Sequence, residues 1–177
     1  MTANKDTKII IVGHQRSGKS RVANLMSAIL DCTYNDSSHA MLDVIETHLA
    51  LSYGLEYLTA FHMLDDKYNH REKWAEAIVG FCKDNGPTAV AQRIYKSQGH
   101  RIYVGPRKRE EYLAIREEYK PLAIWIDRRT DSTPEMELTA GDCDIVLDNT
   151  GVWSQTVTRS LSGIRRYNLD GSHETGR

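Results

Sequence analysis

The 177-residue sequence predicts an α/β fold: a five-stranded parallel sheet flanked by helices. Three observations predict it. The run "KIIIV" (residues 8–12) is apolar at consecutive positions, as in strands buried on both faces. From Lys19 the period changes to steps of three and four, the signature of a helix with one apolar face. Strand-like and helical segments then alternate to the end of the chain, which favours parallel pairing with helices on both sides of the sheet.

Each element follows from its own pattern. The first strand is Lys8 to Val12, and the first helix carries its apolar face on Val22, Leu25, Met26, Ile29 and Leu30. A second short strand is expected over Cys32 to Tyr34, followed by the polar turn "NDSS". Residues 39–98 read as helical, with breaks near Gly54 and at "DNGP" (84–87). Within them Trp74, Ile78 and Phe81 continue a four-and-three stepping begun by Lys67 and Arg71. Next come a strand "RIYV" (101–104), a helix "RKREEYLAIREEY" (107–119), a strand "PLAIWID" (121–127) and a strand "CDIVLD" (143–148). Val152 to Arg166 is expected to form a closing helix, and residues 167–177 a frayed tail. The chain is thus expected to be one domain. Its core spans 8–36, 99–127 and 142–166, with a helical insertion over about 37–98 after the second strand and a short lid over about 128–141 after the fourth.

A net charge of −1 with 27% charged residues argues against a polyanion partner. Cys32, Cys82 and Cys143 lie far apart with no CxxC pair, so neither a disulfide framework nor a zinc site is expected. No segment is apolar enough to span a bilayer, and the polar start "MTANKDTK" lacks the features of a signal peptide. A cytoplasmic location is the expectation.

The segment "GHQRSGKS" (13–20) joins the first strand to the first helix and fits G-x-x-x-x-G-K-[ST]. Gly13 and Gly18 let the backbone curl so that successive N–H groups face one anion. The helix starting there adds its positive end. Lys19 can reach the β and γ oxygens of a bound nucleoside triphosphate, and the Ser20 hydroxyl can ligate magnesium. ATP and Mg²⁺ are therefore the expected cofactors.

Further cations stand where a second phosphate could be held, which is what phosphoryl transfer by positioning and charge stabilisation needs. Lys67, His70 and Arg71 lie at i, i+3 and i+4, so one helix face would carry all three before turning apolar at Trp74, which is itself a candidate substrate contact. Arg93 borders the next apolar face, and either a surface position or a ligand contact suits it. Arg107 follows the third strand at the carboxyl edge where parallel sheets bind ligands. Glu110 and Glu111 are either further substrate contacts or acids that favour the helix dipole. Arg128 and Arg129 end the fourth strand and open the expected lid. Asp148, Asn149 and Gly151 follow the fifth strand, within reach of an adenine or in a plain turn.

With "DKYNHREKW", "IYVGPRKREE", "IWIDRR" and "DCDIVLDNTG" following the phosphate loop in that order, the chain resembles the nucleoside monophosphate kinases, especially the deoxynucleoside monophosphate kinases of tailed bacteriophages. The resemblance runs from Ile9 to about Leu161. It implies that Gly13, His14, Gln15, Arg16, Ser17, Gly18, Lys19 and Ser20 hold ATP. It also implies that Lys67, Arg71 and Arg107 grip an acceptor nucleoside monophosphate, that Arg128 and Arg129 close over the γ-phosphate, and that residues 148–151 meet the adenine. By analogy it allows a homodimer. Ser37, Ser38 and His39 are candidates for the nucleoside. One departure stands out: no acid precedes Gly105 in "YVGPR", so Asp127 or Asp36 is left to organise the water shell of magnesium. Rival acceptors are a hydroxymethylated pyrimidine nucleotide, a modified base in DNA, or a shikimate- or gluconate-type small molecule. A regulatory or assembly ATPase is the rival of another class.

Overall fold

The structure, a computed structural model, describes residues 7–128, 136–151 and 162. Its sheet holds β1 (Ile9–Val12), β2 (Tyr34–Asp36), β3 (Ile102–Val104), β4 (Leu122–Asp127) and β5 (Ile145–Asp148), all parallel, in the order β2-β3-β1-β4-β5. β1 is central: Ile9 pairs with Ile102 on one side and Leu122 on the other. The expected five-stranded parallel sheet is therefore present. Successive residues of β1 point to opposite faces. Ile9 and Ile11 join Ile102, Val104, Ile124 and Ile126 against Val22, Ala23 and Met26 of α1 (Lys19–Leu30). Ile10 and Val12 join Tyr103 and Trp125 in the larger core on the other face.

That second core is built largely by the segment between β2 and β3: α2 (Ser37–Ala40), α3 (Leu42–Tyr53), α4 (Ala60–Asp66), α5 (Arg71–Asn85), α6 (Ala89–Gln92) and a π-helical turn, Arg93–Ser97. From it Met41, Ile45, Leu49, Met63, Trp74, Val90 and Ile94 are buried. From the following helix, α7 (Arg109–Tyr119), Tyr112 and Ile115 join the same core. Removing side chains of this size from water is the main term that holds the insertion on the sheet.

Several boundaries differ from the sequence expectation, each for a local reason. Asp31 ends α1 in the left-handed conformation, and Cys32 N–H closes back on the Ser27 carbonyl, so β2 starts only at Tyr34. Asn35 and Asp36 belong to that strand rather than to a free turn, because Asp36 caps α2 through the His39 N–H. Ile29 is 41% exposed, so the apolar stripe of α1 is carried by Val22, Ala23 and Met26 instead. Lys67 and Arg71 do not share one helix face. Residues 67–70 form a turn between α4 and α5, in which the Lys67, Asn69 and His70 N–H groups bond three residues back. Asp66 gathers that turn by accepting from Tyr57 Oη at 2.7 Å and Asn69 Nδ2 at 2.6 Å, with His70 Nε2 at 3.1 Å. α7 begins at Arg109, after Gly105 at φ +119° and a buried Pro106. β5 begins at Ile145, because Asp144 is held by other partners.

The expected lid is anchored at its far end. Leu138 is buried, Glu137 accepts from Lys108 Nζ at 2.7 Å, and Thr139 and Asp142 cap each other around a short 3₁₀ turn, Ala140–Asp142. Residues 129–135 of that lid and the expected closing helix, Ser162 apart, lie outside the described residues. No helix among the described residues is long and apolar enough to cross a membrane.

Asp144 ties α7 to the sheet: its carboxylate takes both Arg116 Nη groups and the Ala123 N–H at 2.8 Å. D144A leaves the guanidinium and one strand N–H without this partner, and should cost about 2 kcal/mol of stability. Urea unfolding of both proteins measures this; equal midpoints would show that α7 is held by its apolar face alone.

Candidate functional site

The loop 13–18 leaves the carboxyl end of β1 and enters α1. Two of its positions accept only glycine. A Cβ on Gly13, at φ +142°, would stand 2.6 Å from the Ile126 carbonyl oxygen, so the loop lies directly on the β4 backbone. A Cβ on Gly18, at φ +94°, would stand 2.4 Å from Asn149 Nδ2. The loop after β5 braces the phosphate loop at this point: Asn149 Nδ2 donates to the Ser17 carbonyl at 2.7 Å, and Asn149 N–H donates to Asp127 O. The structure thus gives Asn149 a bracing contact, whereas the sequence suggested an adenine contact. Gly151 is exposed beyond it.

Lys19 folds back over the loop and donates from Nζ to the Gly13 carbonyl at 2.8 Å and the His14 carbonyl at 2.7 Å. These carbonyls hold the ammonium in the concavity that the loop forms. His14 sets its ring edge-on to Trp125, with centroids 5.3 Å apart. Arg16 is at φ +60°, and its carbonyl accepts from Arg128 Nη1 at 3.3 Å. Gln15 is half-buried, Ser17 is buried with no partner for Oγ among the described residues, and Ser20 is exposed in the first turn of α1. This curled backbone, cationic centre and helix start fit a polyphosphate. Asp127 is exposed at the end of β4, in register with Asp148. Among the described residues no group of three or more His, Cys, Asp or Glu could hold a metal ion.

The remaining cations converge on the same place. The pKa of Lys19 is pushed down to about 8, first by burial and then by the charges of Arg107 and Arg71. Lys67 is lowered by burial and by the same two arginines, with the Asp36 carboxylate pulling the other way. Lys19 and Lys67 thus both lie within electrostatic reach of Arg71 and Arg107, and Lys67 within reach of Asp36. Lys67 and Arg71 arrive there across the 67–70 turn rather than along a helix. Lys67 Nζ donates to Ser38 Oγ at 2.7 Å and stands 5.3 Å from the centroid of the Trp74 ring. Ser37 Oγ would lie 3.3 Å from a Cβ on Gly105, so this hydroxyl packs against the turn that leads to Arg107. His39 is exposed, with Nδ1 2.8 Å from Asp36 Oδ2.

Other expected contacts are engaged elsewhere. Arg93 donates to Asp43 at 2.6 Å and pins the π-helical turn to α3. His70 turns to Asp66. Glu110 is exposed in the first turn of α7, whereas Glu111 accepts from the buried Tyr103 hydroxyl at 2.7 Å. Burial raises the Glu111 pKa to about 7, held back by the Tyr103 hydrogen bond and by Arg107. Arg128 is exposed beside the loop, and Arg129 lies outside the described residues. Sequence reasoning missed the Asp36–His39 pair and the Asn149 brace. A carboxylate with a histidine three residues later, at a strand end, was the available signal for the first.

No protein-family model and no curated protein matches the chain. Solved structures do. A gluconokinase from Sinorhizobium meliloti aligns over 97% of this chain and 98% of its own, with 16% identity and a TM-score of 0.53. A shikimate kinase from Aquifex aeolicus covers 93% of this chain at 14% identity, TM-score 0.46, and a Janibacter sugar kinase 94% at 14% identity, TM-score 0.47; the matches span 100% and 99% of those chains. The chain thus shares the fold of that gluconokinase, an α/β fold with a five-stranded parallel sheet.

The lowered Lys19 pKa makes a prediction. An anion on Lys19 raises its pKa again, so tripolyphosphate should bind with proton uptake near pH 8. Affinity should then fall as pH rises from about 7 to 9, approaching tenfold per unit at the upper end. Calorimetry in two buffers of different ionisation enthalpy reads the uptake; K19M should bind weakly and without this proton uptake.

Proposed function

We propose that the chain is an ATP-dependent phosphotransferase whose acceptor already carries a phosphate: a (deoxy)nucleoside monophosphate converted to the diphosphate. The observation that supports this reading is that Arg71 and Arg107 lower the proton affinity of both Lys19 and Lys67, which brings the four cations into one electrostatic neighbourhood. Lys19 alone suffices for the phosphates of ATP in such a loop. Three further cations suit a second phosphoryl group.

In this reading residues 13–20 hold ATP, with Asn149 keeping the loop in shape. Ser20, with Asp127 at the end of β4, would hold Mg²⁺, which would supply neutralisation of phosphate charge. Lys67, Arg71 and Arg107 hold the acceptor phosphate so that one of its oxygens lies in line with the γ-phosphorus. A bond then forms between that oxygen and the γ-phosphorus, and the bond to the β–γ bridging oxygen breaks to release ADP. Lys19 and Arg128, beside the loop, offset charge on the transferring group. The acceptor dianion needs no general base, and placing two anions end to end is itself the main catalytic contribution.

A second reading rests on Asp36. Its carboxylate, paired with His39 beside Lys67, could take the proton of a hydroxyl acceptor, such as a hydroxymethylated pyrimidine or a small polyol acid. The test separates the two. ADP formation is followed with ATP, Mg²⁺ and, in turn, common and hydroxymethylated monophosphates, gluconate and shikimate, against a blank without acceptor. The proposal expects turnover with monophosphates lacking an added hydroxymethyl group, and a loss of at least about 10³ in K19A at unchanged thermal stability. Turnover confined to hydroxyl acceptors would favour the second reading. ADP formed equally in the blank would overturn both.

A further inference from the structure

We infer that the indole N–H of Trp74 is a hydrogen-bond donor to an oxygen of the acceptor, and so a specificity-determining group of the cleft. This rests on the reading that the cleft of Lys67, Arg71 and Arg107 is the acceptor's. Trp74 is only 2% exposed, yet Nε1 has no hydrogen-bond partner among the described residues. Buried indole N–H groups are usually paired, because an unpaired buried donor loses its water without compensation. The position of Trp74 says what would pair with it. It lies one turn along α5 from Arg71, on the same helix face, and Lys67 Nζ stands 5.3 Å from its ring centroid. The Lys67 ammonium is fixed in that place by Ser38 Oγ at 2.7 Å.

The indole therefore lies beside the Lys67 ammonium and one helix turn from Arg71, and it supplies what those cations lack: a neutral donor with one direction. A cation attracts any anion from any angle, whereas a single N–H fixes where one oxygen sits. A site whose buried donor is satisfied only by ligand discriminates strongly against molecules that leave it unpaired. Apolar packing explains why an aromatic residue stands at position 74. It does not explain an indole there rather than a phenyl ring.

The experiment uses ¹⁵N-labelled full-length protein. The Trp74 indole resonance is assigned by its loss in W74F, or by elimination with W125F and W153F should W74F fold poorly. AMP, the four deoxynucleoside monophosphates, gluconate and shikimate are titrated without Mg²⁺, so that binding is read without turnover. For each ligand that binds, the inference expects the Trp74 proton to move downfield and saturate, whereas ADP confined to the phosphate loop leaves it in place. W74F should bind the same ligand at least about tenfold more weakly, with ADP affinity within about twofold. This holds equally if only gluconate or shikimate binds, a result that would overturn the monophosphate reading alone. A bound acceptor that leaves the resonance unmoved, an unchanged W74F affinity, or no acceptor binding to the wild type would overturn the Trp74 inference.

Discussion

Like charges held close together repel, and the fold supports three cations of the site against that repulsion. Lys19 is held on two loop carbonyls, Lys67 on a buried serine hydroxyl and over an indole ring, and Arg128 on the carbonyl of Arg16. Each cation thus has a neutral or weakly polar support, and Asp36 is the acid that acts directly on Lys67. The consequence is visible in the lowered proton affinities of both lysines. An anion placed beside these lysines would offset burial and repulsion together, which is the physical basis of the proposed phosphate binding.

The remainder of the structure keeps these groups in register. The central strand β1 delivers the phosphate loop, and its pairing with β3 and β4 sets the turns carrying Arg107 and Arg128 on either side of it. The close approach of Gly13 to Ile126 and of Gly18 to Asn149 leaves the loop little freedom, which is preorganisation in the sense that matters for charge stabilisation. Beneath the Arg107 turn, Tyr103 and Glu111 connect β3 to α7. Neutral Glu111 is favoured in the fold up to about pH 7, so its contribution to stability is present at low pH and is lost as pH rises through that value. Ionised Glu111 would partly offset the charge of Arg107, so this carboxyl links the state of the core to the strength of the cleft.

Much of the fold was legible because its strands are buried on both faces and read as unbroken apolar runs. The phosphate loop was legible because its geometry requires glycine at 13 and 18. What periodicity missed was fixed by side-chain bonds that leave no repeat. The turn at 67–70 depends on Asp66 gathering Tyr57, Asn69 and His70, so Lys67 and Arg71 meet at a corner although their spacing suggested one helix face. For Arg93 the sequence left a surface position and a ligand contact open, and its partner, an acid fifty positions away, leaves no local trace. Asn149 was noticed as a loop residue, while its contact with Ser17 joins residues 132 positions apart and has no local trace.

The central claim is that two anions lie end to end in one cleft, and a bisubstrate analogue tests it most directly. Such a molecule joins an adenosine and a second nucleoside through a chain of five phosphates. If the claim holds, it binds the protein at least about a hundredfold more tightly than ATP, and K67M with R71M removes most of that gain while leaving ATP affinity in place. An analogue that binds no more tightly than ATP, in the wild type and the variant alike, would contradict a second phosphate site and with it the account of the cleft.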